Sequence, residues 1–179
     1  MAFKADYSKA QEGGNSLKPE GYYEVVVSTA EVSCTRNGKE NINIVYTIRN
    51  DVAQGYQNGL IFHSIWKKSP ERQTKEDISI GGFNYGNLMA VAKAAQFSKD
   101  KEYADLNAFL AELIGKPLRV HLYHDPYEGK VYEKVDKHEP TTLAAVKHKA
   151  KGKSAPAQNT APAPAPVQNA APVSDPYPF

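Results

Sequence analysis

The chain has 179 residues, of which 41% are apolar and 23% charged, and this length predicts one domain with appendages rather than two full domains. The single cysteine, Cys34, excludes a disulfide framework and a multi-cysteine metal site. Because Cys34 lies in an alternating strand pattern, we expect its thiol to be buried. No apolar run approaches the roughly 20 residues of a membrane helix, and the first residues carry no signal-peptide pattern, so we expect a soluble cytoplasmic protein.

Charge is distributed unevenly along the chain. Residues 1–140 contain 18 Lys or Arg and 19 Asp or Glu, whereas residues 141–153 add four lysines and no acid. A body of this charge is not the uniformly basic domain of a duplex DNA binder, so any nucleic-acid function requires a local patch and base stacking. The lysine run is equally compatible with the solvated start of a linker.

Three strands are predicted in the first half of the chain. Residues 22–35 alternate apolar and polar side chains, Asn37-Gly38 is typical of a type I′ hairpin turn, and residues 40–50 alternate most cleanly. On the phase of this second strand, Arg49 lies on the outer face. A third strand over residues 60–67 is apolar on both faces, so the pattern leaves open whether Phe62 and Trp66 belong to the core.

Helices and two further strands follow a polar loop at residues 68–82. One helical stripe covers residues 84–97, and a second helix begins after Asp105 as N-cap and ends at Gly115. Strands around residues 118–123 and 131–135 flank a turn at residues 125–129. Their alternation places one set of side chains on the outer face, namely Arg119, His121, Tyr123, Tyr132 and Lys134.

The order strand, strand, strand, helices, strand, strand is that of an OB-fold. We therefore predict a mainly β protein, a five-stranded OB-fold Greek-key barrel with a helical insertion between strands 3 and 4, plus a disordered C-terminal tail. The alternative is an α+β meander with the same elements and no barrel closure. We expect the barrel over residues 1–140, an Ala/Pro-rich linker over 141–174 and a partner-docking tip over 175–179.

No residue pattern indicates catalytic chemistry. The five histidines are scattered, Gly81-Gly82 lacks the lysine and spacing of a phosphate-binding loop, and no acid/base pair of carboxylates is recognisable from spacing. We therefore expect no enzyme activity, no cofactor and no metal site.

Aromatic and basic residues are interleaved on the predicted strands and loops. Sixteen Phe, Tyr and Trp residues fall within residues 1–140, and OB-folds hold single strands by stacking bases on aromatic rings while cations follow the phosphates. The predicted DNA-binding residues are Arg36, Lys39, Arg49, Trp66, Lys67, Lys68, Arg72, Arg119, His121, Tyr123, Tyr127, Lys130, Tyr132 and Lys134.

Several short motifs resemble a family of small phage proteins. They are Met1–Ala10, Pro19–Val25, Ile48–Val52, Gln57-Asn58 and Gly115–Val120. Members occur in phages of Gram-positive bacteria and are regarded as single-stranded DNA-binding proteins with an OB-fold. The resemblance implies a non-enzymatic role in phage DNA replication or recombination, in the cytoplasm of the bacterial host.

The C-terminal residues Asp175-Pro176-Tyr177-Pro178-Phe179 are similar to the partner-recruiting tip of bacterial single-stranded DNA-binding proteins, although Asp175 is the only acid where that family has several. The partners expected are single-stranded DNA and, through this tip, phage or host replication or recombination proteins; no membrane is involved, and a homo-oligomer is left open. The alternative function is an OB-type protein–protein adaptor with little DNA affinity. A nuclease or other enzyme ranks third, because no motif supports it.

Overall fold

A computed structural model describes residues 17–143 and 145–149. The elements are β1 (Gly21–Cys34), β2 (Glu40–Ile48), β3 (Leu60–Trp66), a 3-10 turn (Pro70–Arg72), α1 (Lys75–Ser79), α2 (Tyr85–Ala94), α3 (Leu106–Leu113), β4 (Pro117–Tyr127) and β5 (Lys130–Glu139). Most of the predicted N-terminal arm, most of the linker and the docking tip lie outside the described residues.

The five strands form one antiparallel sheet in the order β3-β2-β1-β4-β5. All three α-helices lie between β3 and β4 in the chain, and the two edge strands, β3 and β5, line opposite sides of one cleft. This is the predicted mainly β, OB-type arrangement, and the fold class is confirmed. No helix in the described part of the chain is long and apolar enough to cross a membrane.

The core lies inside the curled sheet and is closed by the helices. Every second residue of β2, from Ile42 to Ile48, is buried, as the alternation predicts. The stripes of α2 and α3 add Leu88, Phe109 and Leu113 to the same cluster. These buried faces determine which strand residues remain at the surface.

The helix boundaries follow local side-chain chemistry. Asn84 caps α2 by accepting a hydrogen bond from Asn87 N at 3.1 Å, and Asp105 caps α3 by accepting one from Ala108 N at 2.8 Å. The predicted N-cap Asp105 is therefore confirmed. The predicted loop at residues 68–82 instead contains α1, which begins with a reciprocal capping box between Thr74 and Asp77.

The type I′ pattern occurs at the second hairpin and not at the first, where it is expected. At the β1–β2 turn, Gly38 has a φ of +74°, but the φ of Asn37 is not positive. A type I′ turn requires a positive φ at both central residues, so that expectation is wrong. The β4–β5 turn has positive φ at both Glu128 (50°) and Gly129 (74°), the type I′ pattern. The expectation for Cys34 is also wrong, because its thiol is exposed at the end of β1.

Candidate nucleic-acid interface

The outer side of β3 exposes large aromatic side chains. Ile61 and Ile65 are buried, whereas Phe62 is 59% and Trp66 48% exposed. Since successive strand residues point to opposite faces, both rings share one outward row. Trp66 was among the predicted site residues and Phe62 was not, because a strand apolar on both faces hides its phase from the sequence.

A cleft of about 410 Å³ separates β3 from β5. Phe62 and Trp66 line one side, and Tyr132 and Lys134 line the other. Tyr132 is 44% exposed, which agrees with its predicted outward phase. We call this the seam cleft, and we call Phe62, Trp66 and Tyr132 the aromatic face.

A second hollow of about 460 Å³ adjoins the first, and Trp66 lines both. Its other walls include Lys39, Lys67 and Lys68, which come from the β1–β2 turn and the segment after β3. Four predicted residues from distant parts of the sequence therefore meet here, with an aromatic ring among three ammonium groups.

Carboxylates accompany the cations of this surface. Lys67 pairs with Glu40 and Lys134 pairs with Asp125, while Lys68 Nζ lies 2.7 Å from Asp77 Oδ2. The hydrogen bond from Lys68 is the main cause that lowers the pKa of Asp77, and the bond to Asp125 raises the pKa of Lys134. Each of these three lysines therefore has a carboxylate beside it, which reduces the positive charge that the surface presents.

Four further predicted residues lie in exposed turns. Arg36 belongs to the β1–β2 turn and Arg72 to the 3-10 turn, while Tyr127 and Lys130 flank the β4–β5 turn. All four are exposed. Neither the seam cleft nor the second hollow is lined by any of them.

The outer side of β4 carries three predicted residues in a more acidic setting. Arg119 Nε donates to Glu139 Oε2 at 3.1 Å, and the guanidinium packs 4.4 Å from the Tyr22 ring centroid. His121 Nδ1 lies 2.6 Å from Asp136 Oδ1. Tyr123 is opposite Lys134 in the β4–β5 ladder and so continues the surface of the seam cleft onto β4.

Arg49 does not face outward, so that expectation is wrong. Its side chain is completely buried and donates to Asp51 at 2.9 and 2.7 Å, to Thr141 Oγ1 at 3.1 Å and to Ala145 O at 3.0 Å. Asp51 raises the pKa of Arg49, and the same hydrogen bonds lower the pKa of Asp51. The strand ends at Ile48, and the outward phase does not extend past that end.

A polar cluster lies next to the seam cleft, and its member His63 lines the cleft. Tyr46 Oη lies 3.0 Å from His138 Nε2, and the ring centroids of His63 and His138 are 4.7 Å apart. Burial lowers the pKa of His63 to about 4, and burial together with the neighbouring His63 lowers the pKa of His138 to about 3. Both imidazoles are therefore neutral at pH 7.

The described residues contain no group of three His, Cys, Asp or Glu side chains arranged to hold a metal ion. The aromatic face and its neighbouring lysines offer exposed rings for stacking and separate positive charges. Exposed rings beside ammonium groups suit a ligand with flat apolar faces and negative charges.

The fold and this surface together define the class, a five-stranded barrel of OB type with an exposed aromatic face on its seam. Residues 3–152 match the family described as "Protein of unknown function (DUF669)". Since the match covers most of the chain, this protein belongs to that family. No curated protein matches the sequence.

Proposed function

We propose that this protein binds single-stranded DNA, without strong sequence preference and without catalysing a reaction. The observation that carries the proposal is the exposed aromatic face, three rings on two facing edge strands with lysines at its border. A base presents π-faces that stack on such rings, and this stacking contributes about 1–3 kcal/mol per base, whatever the identity of the base. In a duplex those faces are already stacked, so duplex DNA offers this surface only its backbone.

The resemblance to phage single-stranded DNA-binding proteins supports a role in phage DNA replication or recombination in the host cytoplasm. The tip at residues 175–179 would then recruit phage or host replication proteins, a proposal that concerns residues outside the described part. The predicted contacts that line neither the seam cleft nor the second hollow stay predictions, namely Arg36, Arg72, Arg119, His121, Tyr123, Tyr127 and Lys130.

The protein contains a reporter for the proposed interaction, because Trp66 is its only tryptophan. Titration with a 20-nucleotide oligothymidylate should quench the Trp66 fluorescence saturably, since the base stacks on the indole. A duplex of the same length should bind much more weakly. Equal binding of duplex and single strand, or unchanged fluorescence at saturating oligonucleotide, would contradict the proposal.

Alanine variants locate the site within the same assay. Phe62→Ala and Tyr132→Ala should each weaken oligonucleotide binding by about 1–3 kcal/mol, with little change in thermal stability because both rings are exposed. Tyr56→Ala is the matched control, because its ring is 45% exposed and lines neither the seam cleft nor the second hollow. Loss of affinity in the control alone would place the site away from the aromatic face.

The adaptor function remains the second candidate, and one observation favours it. Lys67, Lys68 and Lys134 are all engaged by carboxylates, which reduces the charge available to phosphates. An adaptor would show no saturable quenching by oligonucleotide at physiological salt, so the same titration separates the two functions.

A further inference from the structure

Residues 141–143 and 145–149 return along the barrel after β5, and we call them the strap. Its first residues hold Glu24, which accepts hydrogen bonds from Thr141 Oγ1 at 2.5 Å and from Thr142 N and Oγ1 at 3.0 and 2.7 Å. Ala145 O then accepts from Arg49 at 3.0 Å. This part of the predicted linker is therefore bonded to buried charges of the barrel.

The basic end of the strap is held equally closely. Lys147 N donates to Asp51 Oδ2 at 2.7 Å, and Asn50 N donates to His148 Nδ1 at 3.2 Å. Asn50 and Lys149 exchange two hydrogen bonds, at 2.9 and 3.2 Å. The backbone is thus anchored at three successive residues, while the side chains of Lys147 and Lys149 are exposed and take no part in an ion pair within the described residues.

His148 contributes to a groove of about 580 Å³ on the outer side of the sheet. Its lining includes Val26, Thr47, Leu60 and Ile114. Leu60 belongs to the same outward row of β3 as Phe62 and Trp66, since all three are separated by even numbers of residues. The groove is therefore the continuation of the aromatic face, and the row from Trp66 to Leu60 spans about 20 Å at the rise of a strand.

We infer that the strap is a second phosphate-binding segment of the single-stranded DNA site, an inference that rests on the proposed function. A strand whose bases stack at Trp66 and Phe62 continues along β3 to Leu60, where the apolar groove accepts a further base. Its phosphates there meet Lys147 and Lys149. Because the backbone of the strap is already bonded to the barrel, little order has to be created on binding, which favours affinity.

The distribution of charge along the chain explains why the lysines of the strap matter for phosphate binding. Residues 1–140 carry a net charge of −1, and three lysines near the aromatic face are shared with acids. Lys147 and Lys149 carry no such partner in the described part of the chain. Lys151 and Lys153 follow in the sequence, outside the described residues.

The test compares two double variants with the same change in charge. Lys147→Gln/Lys149→Gln removes the strap cations, and Lys93→Gln/Lys99→Gln removes two exposed lysines beside the helices. With a 20-nucleotide oligothymidylate, the strap variant should lose roughly tenfold in affinity, and its slope of log K against log salt should flatten by about 1.4. The helix-side variant should keep the affinity of the unchanged protein.

Asn50→Ala tests whether the anchored geometry matters beyond charge. It keeps every lysine but removes the side chain that holds Lys149, so we expect a loss of roughly threefold in affinity, with thermal melting as the check on folding. Equal losses in the strap and helix-side variants, or unchanged affinity in both the strap variant and Asn50→Ala, would overturn the inference. If the unchanged protein itself fails to bind, the proposed function is refuted as well, and that result is distinct from a strap variant that binds normally.

Discussion

Arg49 shows how one buried charge connects three segments of the chain. Its guanidinium joins Asp51, Glu24 and the strap with no exposed surface. Although burial raises the pKa of Glu24, the hydrogen bonds from Thr141 and Thr142 outweigh it and lower that pKa below its usual value. Glu24 and Asp51 are thus anions that need their cation in order to be buried.

Arg49→Met should therefore destabilise the protein by about 3–5 kcal/mol, because it leaves two buried carboxylates without a cation. Urea unfolding at pH 7 measures the change. Arg49→Lys should be intermediate, since an ammonium cannot form the two parallel bonds to Asp51.

Arg119→Gln is the control, because its pair with Glu139 is partly exposed and should contribute only about 0–1 kcal/mol. If the Arg49 and Arg119 variants lose similar amounts of stability, the buried network does not stabilise the fold in the way its geometry indicates.

The buried histidines predict a dependence of stability on pH. The pKa of His63 is about 4 and that of His138 about 3 in the folded protein, whereas an unfolded histidine has a pKa of about 6.5. Between these values the unfolded state binds more protons, so the free energy of unfolding falls as the pH drops below about 6.5. Each histidine contributes a slope of up to about 1.4 kcal/mol per pH unit.

The measurement is urea unfolding at several pH values between 7 and 4.5, a range above the titration of most carboxylates. His138→Gln keeps an amide that can bond Tyr46 and should flatten the slope. An unchanged slope in this variant would mean that His138 does not stay neutral in the folded protein.

Single residues also show where sequence reasoning reaches its limit. The outward phase of Tyr132 could be predicted, because alternation within a strand is a local property. The burial of Arg49 could not, because it depends on a strap that follows almost a hundred residues later. The exposure of Phe62 required knowing which face of an all-apolar strand meets the core.

At the scale of elements, the strap is a structural part of the barrel. A chain that ends at Glu139 loses three donors to Glu24 and two acceptors of Arg49. We expect it to lose more stability than the roughly 1.5–3 kcal/mol that a single hydrogen bond to a charged group contributes. A chain that ends at Lys153 should unfold at the same urea concentration as the full chain. Equal stability of the two truncated chains would show that the strap bonds contribute nothing.

The elements themselves were predictable to the extent that their signals are local. The burial pattern of β2 follows from its alternation of apolar and polar residues. The N-termini of α2 and α3 each follow from one capping side chain. Periodicity does not predict α1, because its five residues have no apolar stripe. Its local signal is the capping box between Thr74 and Asp77, and Asp77 also binds Lys68 and the backbone N–H of Tyr85 from outside the helix. The hairpin at Asn37-Gly38 was predicted, but its turn geometry was not, since a short loop can close a hairpin in more than one way.

At the scale of the whole molecule, the edges of the sheet coincide with the candidate site. The order β3-β2-β1-β4-β5 brings residues 62 and 132 to opposite sides of one cleft, and no local pattern in the sequence indicates that meeting. The barrel also groups charges of both signs on this surface. The acids there should weaken DNA binding, so variants that neutralise them test whether DNA meets this surface.

Removing these acids should therefore strengthen binding to single-stranded DNA. Glu40→Gln releases Lys67 and Asp125→Asn releases Lys134, so each freed ammonium can meet a phosphate and one repulsive charge is lost. At about 0.15 M salt, where charges beyond about 8 Å are largely screened, we expect each variant to bind a 20-nucleotide oligothymidylate roughly threefold more tightly. The salt dependence should steepen by about 0.7 for each released lysine.

The matched control is Glu112→Gln, which releases Lys101 on the helical side of the molecule and changes the net charge by the same amount. Its affinity should equal that of the unchanged protein, because Lys101 does not border the seam cleft or the second hollow. If all three variants gain equally, attraction depends on net charge rather than on this surface. If Glu40→Gln and Asp125→Asn gain nothing while the unchanged protein binds, the strand follows a path that avoids Lys67 and Lys134.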